Sequence, residues 1–262
     1  MKEYNIKKIA VRGSRFIWTI ACSLFAIEIF LVCSDVFVNY SGYVENVSIK
    51  EIFGITFEKT LGNWFSSSLF LFASLLLALI SLKEDFKLHP IKKIAWLIFT
   101  LLFFYLSADD GAKIHERVGN ILGDYVDTQL SSSEVGVVAQ ILGGFPSYYW
   151  QIVYLPILGT FGAGLFLFLW EEARAAKARL LLVGAFGSYA LAIAMDYLEG
   201  VVKGFPLFEK LFTLNPKVAE HSARVFEEFL EMFATTQIIT LLLILLVREL
   251  PRSEIHFKDT TQ

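Results

Sequence analysis

Long apolar runs separated by short polar stretches dominate this chain, and they show neither the alternation of a strand nor the repeating turns of a β-rich protein. A helix needs about 20 mostly apolar residues to cross the hydrocarbon of a bilayer. Six windows meet that length, roughly 16–38, 64–82, 91–108, 149–170, 179–200 and 225–247. Breakers or charges stand where helices should stop: Gly62-Asn63 before Trp64, Lys83-Glu84-Asp85 after the second window, Pro90 opening the third, Gly200 closing the fifth and Pro251 after the last. The pattern predicts an all-α polytopic bundle of about six transmembrane helices forming a single membrane domain over 1–262. Basic residues precede the first run as in a signal peptide, but Phe16–Val38 is too long for that and has no small-residue cleavage site, so it is expected to be a retained span.

Lysine and arginine set the expected orientation, because cytoplasmic connections are enriched in them. The segments 1–15, 83–93, 171–179 and 248–262 carry 15, against 8 in 39–63, 109–148 and 201–224. Both termini are therefore expected in the cytoplasm, and the cell membrane, a bacterial inner membrane, is the expected location. In the connection 109–148, serines and Gly143-Gly144 point to a surface loop, with room for a short amphipathic helix acting as a lid. Tyr148, Tyr149, Trp150, Trp64 and Trp170 read as interfacial anchors. Gly159, Gly162, Gly164, Gly184 and Gly187 read as points of close helix packing.

Composition narrows the classes. The chain is 55% hydrophobic, its mean hydropathy is +0.57, and no basic cluster is present that would grip a phosphate backbone, so nucleic acid is an unexpected partner. Membrane lipids are the expected surroundings. Cys22 and Cys33 lie ~16 Å apart along one helix, too far to bridge each other. His89 and His256 fall on the cytoplasmic side as surface residues.

Chemistry is concentrated in three stretches that this topology brings to the extracytoplasmic face. LSADDGAKIHER carries Asp109, Asp110, His115 and Glu116; MDYLEG carries Asp196 and Glu199; HSARVFEEFLEM carries His221, Glu227, Glu228 and Glu231. At 100° per residue Asp109 and Glu116 share a helix face, as do Asp196 and Glu199, and as do His221, Glu228 and Glu231. Asp35, near the end of the first span, reaches the same side, and Glu28 lies in mid-span. Ionisable groups at the hydrocarbon edge are costly unless they pair or bind something. Asp109, Asp110, His115, Glu116, Asp196, Glu199, His221, Glu228 and Glu231 are accordingly candidate ligands of a divalent cation, since several carboxylates with one or two imidazoles suit Fe, Mn, Mg, Ca or Zn. The opposing explanation makes Lys113, Arg117 and Arg224 internal counter-ions in a salt-bridge network.

Leu106-Ser107 with Asp109-Asp110 and His115-Glu116-Arg117, Asn63-Trp64-Phe65-Ser66-Ser67 opening the second span, and Glu227-Glu228 with Glu231-Met232 together resemble a group of uncharacterised bacterial multi-pass membrane proteins. In that group the first stretch reads as an acidic pair, four residues, then His-Glu. The chain departs from it at Asp110, where Glu is commoner, and at Lys113, where a small or neutral residue is usual. The resemblance implies architecture and no particular reaction.

Three functions fit these residues. One is a metal-dependent, lipid-directed hydrolase in which the cation activates water, with Glu116 or Glu228 as general base and His115 or His221 as acid or ligand. Its substrate would be a lipid or small amphiphile. Another is a cation- or proton-coupled transporter using Glu28 and Asp35 as a path inward. The third is a non-catalytic subunit with a structural cluster. No nucleotide loop, nucleophile elbow or haem motif is present to choose among them.

Overall fold

The computed structural model describes residues 2–132, 135–202 and 205–249, side chains excepted at 2–13, 207–208 and 249. They form ten helices and, among the described residues, no strand: α1 (Lys2–Tyr40), α2 (Val47–Phe53), α3 (Leu61–Lys83), α4 (Pro90–Ala112), α5 (Ile114–Leu130), α6 (Val137–Gly143), α7 (Tyr149–Ala175), α8 (Arg179–Val202), α9 (Pro206–Phe212) and α10 (Pro216–Glu249). Six of them, α1, α3, α4, α7, α8 and α10, are long and apolar enough to cross a membrane. The chain is a multi-pass helical membrane protein.

Local chemistry sets the helix ends. Thr60 caps α3 by accepting the Asn63 N–H (3.2 Å), Asn46 does the same for α2 through Ile49, and Pro90 and Pro206 open α4 and α9. The last helix begins at Pro216, well before the predicted 225, which places His221 and Arg224 inside it.

α10 is the central post. It packs against α1, α3 and α8, and more lightly against α7 and α9, and 67% of its spanning window is buried. Ile238, Ile239, Leu241 and Leu242 form its inner stripe. α3 and α4 pair closely, and Trp96 of α4 meets Phe168 of α7 edge-on at 4.7 Å. Between these helices small residues at full burial, Ala73, Ala173, Ala185 and Ala234, let the backbones approach.

Of the glycines expected to do this, only Gly184 has a neighbour in the way of a side chain, the amide of Gln237. Gly159, Gly164 and Gly187 face open space, and Gly162 barely meets Phe186. Close approach occurs instead at Gly119 and Gly123, where α5 lies on Trp150 and Tyr149 at the start of α7, and at Gly200, which touches Ser147. The expected loop 109–148 is therefore largely helical. α5 folds back on α6 and α7, so Trp150 is a packing residue, whereas Trp64, 68% exposed, keeps the setting of an anchor. Trp170 carries the Arg179 guanidinium 4.0 Å above its ring, closing the α7–α8 turn.

Candidate functional site

The centre of interest is the corner between α4 and α5. Gly111 lies within α4 and does not bend it. Lys113 does, with φ 52° and ψ 46°, a left-handed conformation rare for a residue with a side chain. Its N–H closes α4 on the Asp109 carbonyl. The Asp109 carboxylate then accepts the His115 N–H (2.9 Å) and stands 2.6 Å from the His115 Nδ1, so one acidic side chain caps the new helix and holds an imidazole. Asp109 and Glu116 consequently lie on two helices and share no face.

Two sequence motifs brace this corner. Ser67 Oγ donates to the Ser107 carbonyl (2.7 Å), Ser107 Oγ donates to the Ser67 carbonyl (2.8 Å), and Asn63 Nδ2 donates to the Asp110 carbonyl (3.0 Å). Tyr105 donates to Asp109 (3.3 Å). Trp150 stacks edge-on against His115 at 4.9 Å, with Tyr154 beyond it. The contact of Nδ1 with a carboxylate oxygen suits the tautomer that carries its proton on Nδ1, and Nε2 faces Glu116 at 4.0 Å.

Beside the corner lies a polar core shared by α4, α5, α8 and α10. Lys113 Nζ contacts Glu116 at 3.1 Å and lies within electrostatic reach of Glu228 and Asp110. Burial works to lower the Lys113 pKa, and Glu228, Glu116 and Asp110 outweigh it, so the ammonium is held above the ordinary lysine range. Glu231 is in turn close to Glu228, Asp110 and Asp196, and Glu227 to Glu231, Asp196 and Glu228. Glu227, Glu228 and Glu231 are half-buried and, among the described residues, make no hydrogen bond or ion pair through their carboxylates. Tyr189, bonded to Thr235 at 2.7 Å, closes the core toward the bundle centre.

Three of the predicted residues have other partners. Glu199 accepts Arg224 Nε (2.9 Å) and Tyr148 Oη (3.1 Å), and Arg224 also reaches Glu220 at 2.9 Å, forming the rim of the core. Burial, and after it the charge of Glu199, pushes the Tyr148 phenol above the ordinary tyrosine range. Asp196 accepts Gln151 Nε2 at 2.7 Å. His221, expected beside Glu228, turns instead to α1. Its Nε2 is 2.6 Å from Asp35, which is fully buried and also accepts the Ile55 N–H at 2.7 Å.

Among the described residues no three His, Cys, Asp or Glu side chains gather as metal ligands do. Among the described residues the buried Gln151 Oε1 lacks a hydrogen-bond partner, and Asp110 Oδ2 and Ser66 Oγ on the neighbouring helix, which interact with each other, have no further one. Ser66 and Gln151 are 2% and 3% exposed. Glu28, in mid-span, accepts Thr236 Oγ1 at 2.5 Å, and its second oxygen has no partner. Sequence reasoning missed Tyr105, Tyr148, Gln151 and Glu220; a glutamine inside the apolar run of α7, and a glutamate one turn before Arg224, were the available signals.

No characterised protein and no solved structure matches the chain. A family model described as a domain of unknown function, DUF8692, matches residues 16–247. With nearly the whole membrane bundle inside that match, the chain belongs to the DUF8692 family.

Proposed function

We propose that the polar core binds a hard cation and serves a metal-dependent reaction on a membrane amphiphile. The observation that carries this is the imbalance of charge among the described residues: Asp110, Asp196, Glu227, Glu228 and Glu231, with Glu116 at the edge and 43% exposed, form one electrostatically linked group with one described ammonium, that of Lys113. Carboxylates crowded in a poorly solvated place need a cation or protons beside them. The oxygens of Asp110, Ser66 and Gln151, of which Gln151 Oε1 has no partner among the described residues, add neutral and charged donors of the type that Mg, Ca or Mn prefers.

The donor set fits such an ion in chemistry, although among the described residues no three of its His, Asp or Glu side chains already stand together as ligands. Asp110, Glu228 and Glu231 would hold the cation, with Glu116 and His115 Nε2 at its edge. The cation would supply Lewis acidity. Glu116 would take a proton from water and pass it to His115 Nε2, 4.0 Å away, and the ring, its Nδ1 proton held by Asp109, would give that proton to the leaving group.

A second reading is favoured by Lys113 and Arg224, which already touch Glu116 and Glu199: a structural ion-pair network without a cation. Metal analysis of detergent-purified protein separates the two. The cation reading expects near-stoichiometric metal, loss of most of it in Glu228→Gln, and a lower thermal midpoint after chelation, because a ligand bound only to the folded state stabilises it by mass action. Absence of metal, with a midpoint indifferent to chelators and to added Mg, Ca or Mn, would establish the network instead.

A further inference from the structure

The opposite side of α10 carries a different kind of surface. At 100° per residue, Ser222, Val225, Phe229 and Thr236 project toward α1, while Arg224, Glu227 and Glu231 project away from it, and His221 lies at the boundary. Between α1 and α10 runs a cleft of about 340 Å³ lined by Ile29, Val32, Val36, Val225, Phe226 and Phe229, with Tyr40, His221 and Ser222 at one end. That volume is at the lower end for ligand pockets.

The cleft has two chemically distinct ends. Its length is aliphatic and aromatic, and Val36 and Phe226 at its mouth are 49% and 40% exposed. Its end near the termini of the two spans holds polar groups. The Tyr40 hydroxyl and the Ser222 hydroxyl have no hydrogen-bond partner among the described residues, and the His221 ring, 5.4 Å from Tyr40 and edge-on to it, is fixed by Asp35.

We infer that this cleft holds one acyl chain of a membrane glycerophospholipid, with the lipid's ester or phosphate oxygens accepting hydrogen bonds from the Tyr40 and Ser222 hydroxyls. Both walls belong to membrane spans, so the medium against the open side is lipid, and a chain with a polar end is the component whose chemistry follows the lining from Ile29 to Tyr40. His221 Nε2 is taken by Asp35, so the donors left at the polar end are the Tyr40 and Ser222 hydroxyls. This site does not depend on any cation in the polar core.

The test is photolabelling in nanodiscs of phosphatidylethanolamine and phosphatidylglycerol that contain a trace of phospholipid with a mid-chain diazirine. Mass mapping should find Val32, Val36, Val225 and Phe226 labelled about fivefold or more above Leu75, Leu101 and Leu167, which are lipid-facing residues elsewhere on the bundle. Val36→Trp should remove most of that labelling and Leu75→Trp should not; Tyr40→Phe should reduce the phospholipid retained through detergent purification. If Val36→Trp lowers the thermal midpoint and so reports misfolding, the wild-type map decides alone. Equal labelling of cleft and control residues would overturn the inference. So would an unlabelled cleft with Cys33-to-Cys33 cross-links between copies, which would make a second copy of the chain the occupant. Chelators should leave the labelling unchanged, so failure of the cation reading and failure of this one are separable.

Discussion

His115 Nδ1 stands 2.6 Å from Asp109 Oδ2 across a break in the helix, and the same carboxylate caps the helix that carries the histidine. The pair fixes which imidazole nitrogen bears the proton. Asp109→Asn would reverse it, because the amide can present N–H to Nδ1 and force the proton to Nε2. Selective nitrogen NMR of labelled histidine should show one ring changing tautomer in the variant, with a stability loss of about 1–2 kcal/mol from the weakened cap. An unchanged His115 spectrum would show that Asp109 does not set the tautomer.

Lys113 joins two opposed demands, a backbone that favours glycine and a side chain that faces carboxylates. Lys113→Gly relieves the left-handed strain, worth up to about 1 kcal/mol, but removes the one ammonium that the described residues of the core supply. A net destabilisation of about 1–2 kcal/mol is expected, since losing a charged partner costs about 1.5–3 kcal/mol. Lys113→Arg should be close to neutral. The sign with pH follows from the raised lysine pKa: the ammonium's contribution is complete below its unfolded value and is lost only as pH rises through the higher folded one. The gap in thermal midpoint between Lys113→Arg and wild type should therefore stay constant between pH 6 and 9.

Arg224→Gln leaves the buried Glu199 with Tyr148 alone. Arg224 is itself 45% exposed, so water screens the pair, and a loss of about 1–2 kcal/mol is expected in place of the larger figure for a fully buried pair. Denaturation of the variant in detergent measures it, and restoring the pair with lysine should recover part of the loss.

Glycines on the two sides of the bundle should respond in opposite directions. A side chain at Gly119 would stand 2.7 Å from the Trp150 backbone nitrogen, so Gly119→Leu should cost about 1–3 kcal/mol and loosen α5 from α7. Gly159 has nothing within 4 Å, and Gly159→Ala should raise the thermal midpoint slightly through helix propensity.

Orientation is testable with single cysteines at the two ends. Ser132 follows α5, and Lys87 lies in the α3–α4 connection at the other end. The charge bias places Ser132→Cys outside, where an impermeant reagent should reach it in intact cells while leaving Lys87→Cys unlabelled; the reverse pattern would turn the polar core toward the cytoplasm.

The spans were legible because length and hydropathy alone decide them, and their predicted edges fall within a few residues of the helices except at the starts of α1, which begins at Lys2, and of α10, where Pro216 opens the helix two turns early. Arrival of acids at one end was legible for the same reason. The partners were not. Periodicity places His221 beside Glu228, but a fully buried Asp35 on α1 claims its ring, and no local pattern reveals a contact across 186 residues. The corner at Lys113 was equally hidden, because the conformation is stabilised by a side chain and by neighbouring helices, while local propensity disfavours it.

The paired serines of α3 and α4 have a further consequence. Ser67 and Ser107 each give a proton to the other's carbonyl, so in hydrocarbon, where no water can substitute, sliding one helix past the other by a single residue would orphan two hydroxyls at once. Such a slip would also carry Asp109 and Asp110 about 100° around the helix axis and ~1.5 Å along it. Two uncharged side chains thus act as a register pin for two acidic ones half a turn to a turn away, and the aim of the carboxylates is decided by residues that never touch them.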